Sequence, residues 1–182
     1  LAYFVIIGCT AYIFQVLLDP WLKEINPSRA AIATAFTIFL IVLGVATPVS
    51  AWVIRVFSAR VAIFVGGLIA AFGLVLTALF AHNILTLYLL FGGVTGFGAA
   101  VGALLPVQTI INSWFVERRG LMLGIGLTGG GIGGFLSLPA VQFLIDSNDS
   151  WRTAILIWGC MVAVASLVAF LLVRDKPSDM GQ

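Results

Sequence analysis

The sequence predicts an all-α membrane protein with six transmembrane helices. Three observations carry that expectation. Of 182 residues, 62% are hydrophobic and only 9% are charged, whereas a soluble domain carries about 25% charged residues. The few charges divide the chain into long neutral runs. No stretch shows the short, alternating segments of a membrane barrel, and lipid offers the backbone no hydrogen bonds, so the spans must be helices.

Residues 1–18 carry no charge, 30–54 give 25 neutral positions, 120–145 give 26 and 153–173 give 21. The run 61–116, 56 positions with His82 taken as neutral, is too long for one crossing and is divided at Ala81-His82-Asn83. A helix needs about 20 apolar residues to cross the hydrocarbon core. Spans near 1–18, 30–54, 61–80, 84–114, 120–145 and 152–173 follow, making 1–173 one bundle. The first run has no basic n-region, and Leu17-Leu18-Asp19-Pro20-Trp21 stands where a signal peptide would be cleaved. The chain begins with Leu1 rather than Met, so the first helix is read as truncated.

Orientation follows from the basic residues. With the N-terminus inside, the inner loops hold Arg55, Arg60, Arg118, Arg119, Arg174 and Lys176, and the outer loops hold Lys23, Arg29 and Arg152. Both termini are then cytoplasmic, in a plasma or bacterial inner membrane. Trp21, Trp114 and Trp151 fall near helix ends, where headgroup-level rings are expected.

Twenty glycines cluster in the fourth and fifth spans with repeated four-residue spacing, as in Gly92/Gly96, Gly98/Gly102 and Gly130/Gly134. Small residues let membrane helices approach closely, so both spans are expected to pack tightly, and Gly129-Gly130-Gly131 gives the fifth a weak point. Gly124-Ile-Gly126-Leu-Thr-Gly129 matches a dinucleotide fingerprint only formally, because no strand precedes it. Pro48, Pro106 and Pro139 are expected to kink spans two, four and five.

Several function classes are excluded. Nine Lys and Arg against seven Asp and Glu, with no basic block, argue against nucleic acid as a partner. Cys9 and Cys160 have no CxxC or His neighbour, read as small buried hydrophobes, and point to no metal or cofactor. An intramembrane protease would need a membrane serine beside a base or a buried carboxylate pair. The single histidine, His82, lies in a short loop, and no Asp or Glu lies deep in a span.

The loop residues resemble a known family. Trp114-Phe115-Val116-Glu117-Arg118-Arg119-Gly120-Leu121-Met122-Leu123-Gly124 is similar to the aromatic-Phe-x-Lys-Arg-Arg-x-x-Ala-x-Gly opening of the fifth helix in the monocarboxylate transporter and oxalate/formate exchanger branch of the major facilitator superfamily. Trp151-Arg152 before the last span is typical of it, and 174–182 resembles the start of the loop joining the two halves. The resemblance implies the N-terminal half of a twelve-helix transporter, built as a three-plus-three inverted repeat. It also implies a missing C-terminal half as partner and a small organic anion as substrate. In the superfamily's Gly-x-x-x-Asp-Arg-x-Gly-Arg-Arg loop, Arg55 takes the Asp position and Ser58 the second Gly, so the gating network of Arg55, Arg60, Arg118 and Arg119 is altered. The branch's first-helix lysine falls at Val16, and lysine-dependent proton coupling does not carry over. The runner-up reading is a non-transporting six-span interaction or sensor protein.

A transporter site lies near the midplane and is lined by polar groups that lipid would not tolerate. The spans offer only neutral ones. Tyr12 and Gln15 share a face of the first helix, three residues apart; Gln108 and Asn112 share one of the fourth; Thr95 lies mid-span and Gln142 toward the outer end of the fifth. The positive partner an anion needs must come from the missing half.

Overall fold

Four helix starts in this chain are set by short polar side chains. Ser28, Ser58 and Ser150 each sit in extended backbone and accept a hydrogen bond from the amide three residues on, and Asn83 and Thr86 form a reciprocal capping box. Each cap satisfies an amide that the first helical turn leaves unpaired. The computed structural model describes residues 4–25, 27–115 and 118–173. These comprise a π-helical turn Phe4–Gly8, α1 (Phe14–Ile25), α2 (Arg29–Val45), α3 (Thr47–Val56), α4 (Ala59–Phe80), α5 (Ile84–Leu87), a π-helical stretch Tyr88–Thr95, α6 (Gly96–Gly102), α7 (Leu104–Trp114), α8 (Arg119–Asn148) and α9 (Trp151–Leu172). No strand occurs among the described residues.

Five segments are long and apolar enough to cross a membrane: Arg29–Val56, Ala59–Phe80, Ile84–Trp114, Arg119–Asn148 and Trp151–Leu172. They correspond to the second through sixth expected spans. The first differs: its π-helical turn is followed by α1, which runs past residue 18 through Asp19 and Pro20 to Ile25. Packing explains the extension. Leu17 and Trp21, four apart on one face, are both fully buried, and Trp21 meets the rings of Phe14, Phe91 and Trp151 at 5.8, 5.4 and 6.1 Å. Trp21 and Trp151 are therefore core residues at the end of the bundle, not rings on its lipid-facing rim. Residues 174–182, expected to begin the inter-half loop, lie outside the described residues.

Two of the three expected proline kinks are helix breaks. α2 gives way to α3 at Ala46, and α6 to α7 at Ala103, and Pro48 and Pro106 occupy the first turn after each break. There a missing amide costs no helical hydrogen bond. Pro139 lies inside α8, which continues unbroken through it and through Gly129-Gly130-Gly131.

Close packing holds along the fourth span but on one side only of the fifth. A methyl group added at Gly98 would lie 2.2 Å from the Ala70 amide nitrogen, and one at Gly92 would lie 3.0 Å from the Ala35 carbonyl. In α8, one at Gly134 would strike the Tyr12 ring at 2.6 Å, whereas at Gly120, Gly124 and Gly131 it would meet nothing within 4 Å. Cys9 is buried as expected, but Cys160 is exposed on the outside of α9.

The tightest helix pair is α4 with α9, antiparallel and joined reciprocally at both ends. Arg60, in the first turn of α4, donates through Nε to the Phe170 carbonyl in the last turn of α9. Arg152, in the first turn of α9, donates to the Ala78 carbonyl near the end of α4 at 2.6 Å. A basic residue in a first turn opposes its own helix dipole; here each guanidinium meets the carbonyl-rich end of its neighbour. The two contacts are related by one offset of 92 residues, which carries Ser58 to Ser150, Arg60 to Arg152, Gly67 to Gly159 and Ala78 to Phe170. Gly67 lies under Ser166, and Gly159 lies under Ala71 and Leu74, the latter 92 residues before Ser166.

Candidate functional site

Tyr12 and Gln15, three residues apart across the start of α1, line a cleft of about 430 Å³ together with Ile7, Ala11, Phe14 and Phe36. Gln15 is exposed, and Tyr12 is 38% exposed, with its ring against Gly134 of α8. The absence of a side chain at Gly134 is what lets the ring lie there. Phe36 comes from α2, where its ring stacks on Phe14 at 4.8 Å and on Phe39 at 5.8 Å, so its orientation is fixed. Among the described residues, no charged side chain lines the cleft. It presents one amide and one phenol on an aromatic and aliphatic surface.

The other expected polar residues are not gathered here. Thr95 is fully buried, donates to the Leu90 carbonyl and packs against Gly73 of α4, which is the setting of a helix-packing residue. Gln108 is half-buried and Asn112 exposed, both on α7. Gln142 donates to Asp146 at 2.8 Å on the exposed side of α8. None of the four lines the cleft of Tyr12 and Gln15.

A polar cluster that the sequence did not single out closes the end of the bundle where α1 finishes. Glu24 of α1 pairs with Arg152 at 2.6 Å and accepts a hydrogen bond from the Trp151 indole. Arg152 also donates to the carbonyls of Ala78 and Ala81 and lies 3.4 Å from His82 Nδ1, while its guanidinium stacks 4.5 Å over the Trp151 ring. Burial by itself raises the Glu24 carboxyl; the hydrogen bonds from Arg152 and Trp151, with the nearby positive charge, outweigh it and hold the carboxyl below its ordinary range. Three chain segments, α1, α4 and α9, are tied together by one guanidinium. Glu24 and Arg152 stand 128 positions apart, so spacing along the chain offered no signal for the pair. His82, read as a loop residue, is exposed at the rim of this cluster.

At the opposite end, Arg55 is exposed at the end of α3, and Arg118 and Arg119 are exposed at the start of α8. Arg60 is partly buried, its guanidinium 4.1 Å over the Phe170 ring. It is placed as a tie between α4 and α9. Among the described residues, no three His, Cys, Asp or Glu side chains converge where a metal ion could sit.

Comparison with known proteins adds the family. The Major Facilitator Superfamily model matches residues 1–182. Monocarboxylate transporter 12 of Xenopus laevis is 40% identical over 116 residues, covering 64% of this chain and 25% of that protein. Human monocarboxylate transporter 11 is 35% identical over 157 residues (82% and 33%), and human monocarboxylate transporter 14 is 30% identical over 171 residues (92% and 33%). The chain thus spans a quarter to a third of the length of these relatives.

Proposed function

This chain belongs to the Major Facilitator Superfamily, and on that premise we propose that it is the N-terminal half of a secondary active transporter for small organic anions such as monocarboxylates. Transport proceeds by alternating access, with this bundle rocking against a second six-helix bundle. The observation that carries the reading is the uncharged cleft at Tyr12 and Gln15 in a chain whose relatives are named monocarboxylate transporters. Neutral donors bind a carboxylate without trapping it, and a transporter must release as well as bind. The balancing positive charge comes from the other half.

Support for a three-plus-three inverted repeat comes from the offset of 92 residues. In sequence it carries the third span onto the sixth, with matching serine caps, arginine ties and glycine contacts. At the level of whole spans, the first–fifth contact of Gly8 with Gly133 has a fourth–second counterpart where Gly92 meets Ala35 and Ile38. The charge bias supports a reading with both termini in the cytoplasm, in a plasma or inner membrane.

The test is uptake of a panel of labelled monocarboxylates into proteoliposomes bearing the full-length protein. Saturable uptake of at least one acid above protein-free vesicles is expected. Uptake of none, with the protein folded and inserted, contradicts the reading and leaves a non-transporting membrane protein.

A further inference from the structure

We propose that Phe36 is a specificity-determining residue and that the site prefers a monocarboxylate with a bulky, aromatic body over a short aliphatic acid; this rests on the transporter reading above. Three observations point the same way. The cleft, about 430 Å³, falls within the ~300–1,000 Å³ range of pockets that enclose drug-sized molecules, far more room than a three-carbon acid fills. Among the described residues its polar side chains are Tyr12 and Gln15, and the remaining lining is Ile7, Ala11, Phe14 and Phe36. The ring of Phe36 is held by Phe14 and Phe39, so its free surface is a rigid aromatic wall rather than a mobile side chain.

A bound ligand therefore has one polar end at Gln15 and the Tyr12 hydroxyl and an apolar body against Phe36. An aryl group meets that wall by offset stacking or edge contact, geometries that fixed rings favour. A short acid satisfies the polar end and leaves the wall facing water. Among the described residues this side of the cleft has no charged group, so the surface it offers the ligand's body suits an uncharged one.

The experiment compares 3-phenylpropionate with propionate, which differ only by the ring, as competitors and as labelled substrates of the full-length protein in proteoliposomes. Phenylpropionate is expected to half-saturate at a concentration about tenfold lower than propionate, the scale of one well-packed aromatic contact with its buried area. Phe36→Ala should reduce that preference to about threefold or less, and Phe36→Leu, which keeps most of the volume, should lie between. Gln15→Ala should weaken both acids by the same factor and leave their ratio unchanged. An unaltered ratio in a transporting Phe36→Ala protein, or a wild-type preference for propionate, overturns the role of Phe36 while leaving the transporter reading intact. Failure of the wild type to bind or move either acid, or any other monocarboxylate, overturns the transporter reading and this inference with it.

Discussion

Gln15 lies on the exposed side of the first helix with its amide free to meet a ligand, beside a phenol whose ring is seated on Gly134. Gln15→Ala is expected to weaken substrate binding by about 1 kcal/mol, the net worth of one hydrogen bond, or by up to ~3 if the carboxylate is well desolvated. Gln15→Glu should do more damage, because it sets a like charge beside an anion. Binding to both variants of the full-length protein checks this, and a Glu variant that binds better than the Ala variant would identify a cationic substrate instead. A second residue-scale prediction concerns close approach. An added methyl at Gly66 would lie 2.3–2.4 Å from backbone atoms of Gly102, and backbone cannot rotate away as a side chain can. Gly66→Ala should therefore cost about 1–3 kcal/mol of stability, the usual range for overpacking, measured by thermal unfolding in detergent. At this scale the sequence was half legible. Tyr12 and Gln15 could be paired from a spacing of three, although Tyr12 lies in the turn before α1 rather than on the expected helix. Phe36 and Glu24 could not be singled out, because their settings depend on a neighbour from another helix.

The elements were more legible than the contacts between them. The neutral runs coincide, to within a few residues, with five helical segments long and apolar enough to cross a membrane, since a bilayer fixes how long an apolar helix must be. The end of α1 was missed because buried Leu17 and Trp21 extend the helix past Asp19 and Pro20. Breaks at Ala46 and Ala103 were signalled by the following prolines, but whether a proline kinks a helix or starts a new one depends on what the freed backbone meets. The reciprocal arginines give the elements their main electrostatic ties. Arg152→Gln is expected to lower Tm more than Glu24→Gln, because the arginine alone reaches the Ala78 and Ala81 carbonyls at the end of α4, while the ion pair, with a half-exposed Glu24, contributes ~0–1 kcal/mol after solvent screening. The pair also predicts a pH response. The Glu24 carboxyl is held below its ordinary value of 4.5, so its contribution is present above that value and is lost as the pH falls below it and the carboxylate takes up a proton. Tm measured from neutral pH to below 4.5 should show a smaller acid-side loss for Glu24→Gln than for the wild type, and equal losses would remove the carboxylate from the account.

For the whole molecule, the six-to-three bias of basic residues predicts an orientation with both termini inside. Single cysteines at Asn83 and Asn148 should react with impermeant thiol reagents from outside, and one at Ser58 only after the inner face is opened; the reverse pattern would invert the orientation. On the proposed reading a second half supplies an anion's positive partner, and no pattern in this chain could signal it. On the proposed reading, what unites these scales is a cleft that faces each side of the membrane in turn. The most direct measurement replaces Cys9 and Cys160, places a single cysteine at Ala11 in the cleft of the full-length protein, and follows its labelling by impermeant reagent from each side. The account predicts that Ala11→Cys is labelled from both sides and that saturating monocarboxylate slows both reactions. Labelling from one side only, unchanged by any transported acid, would contradict it.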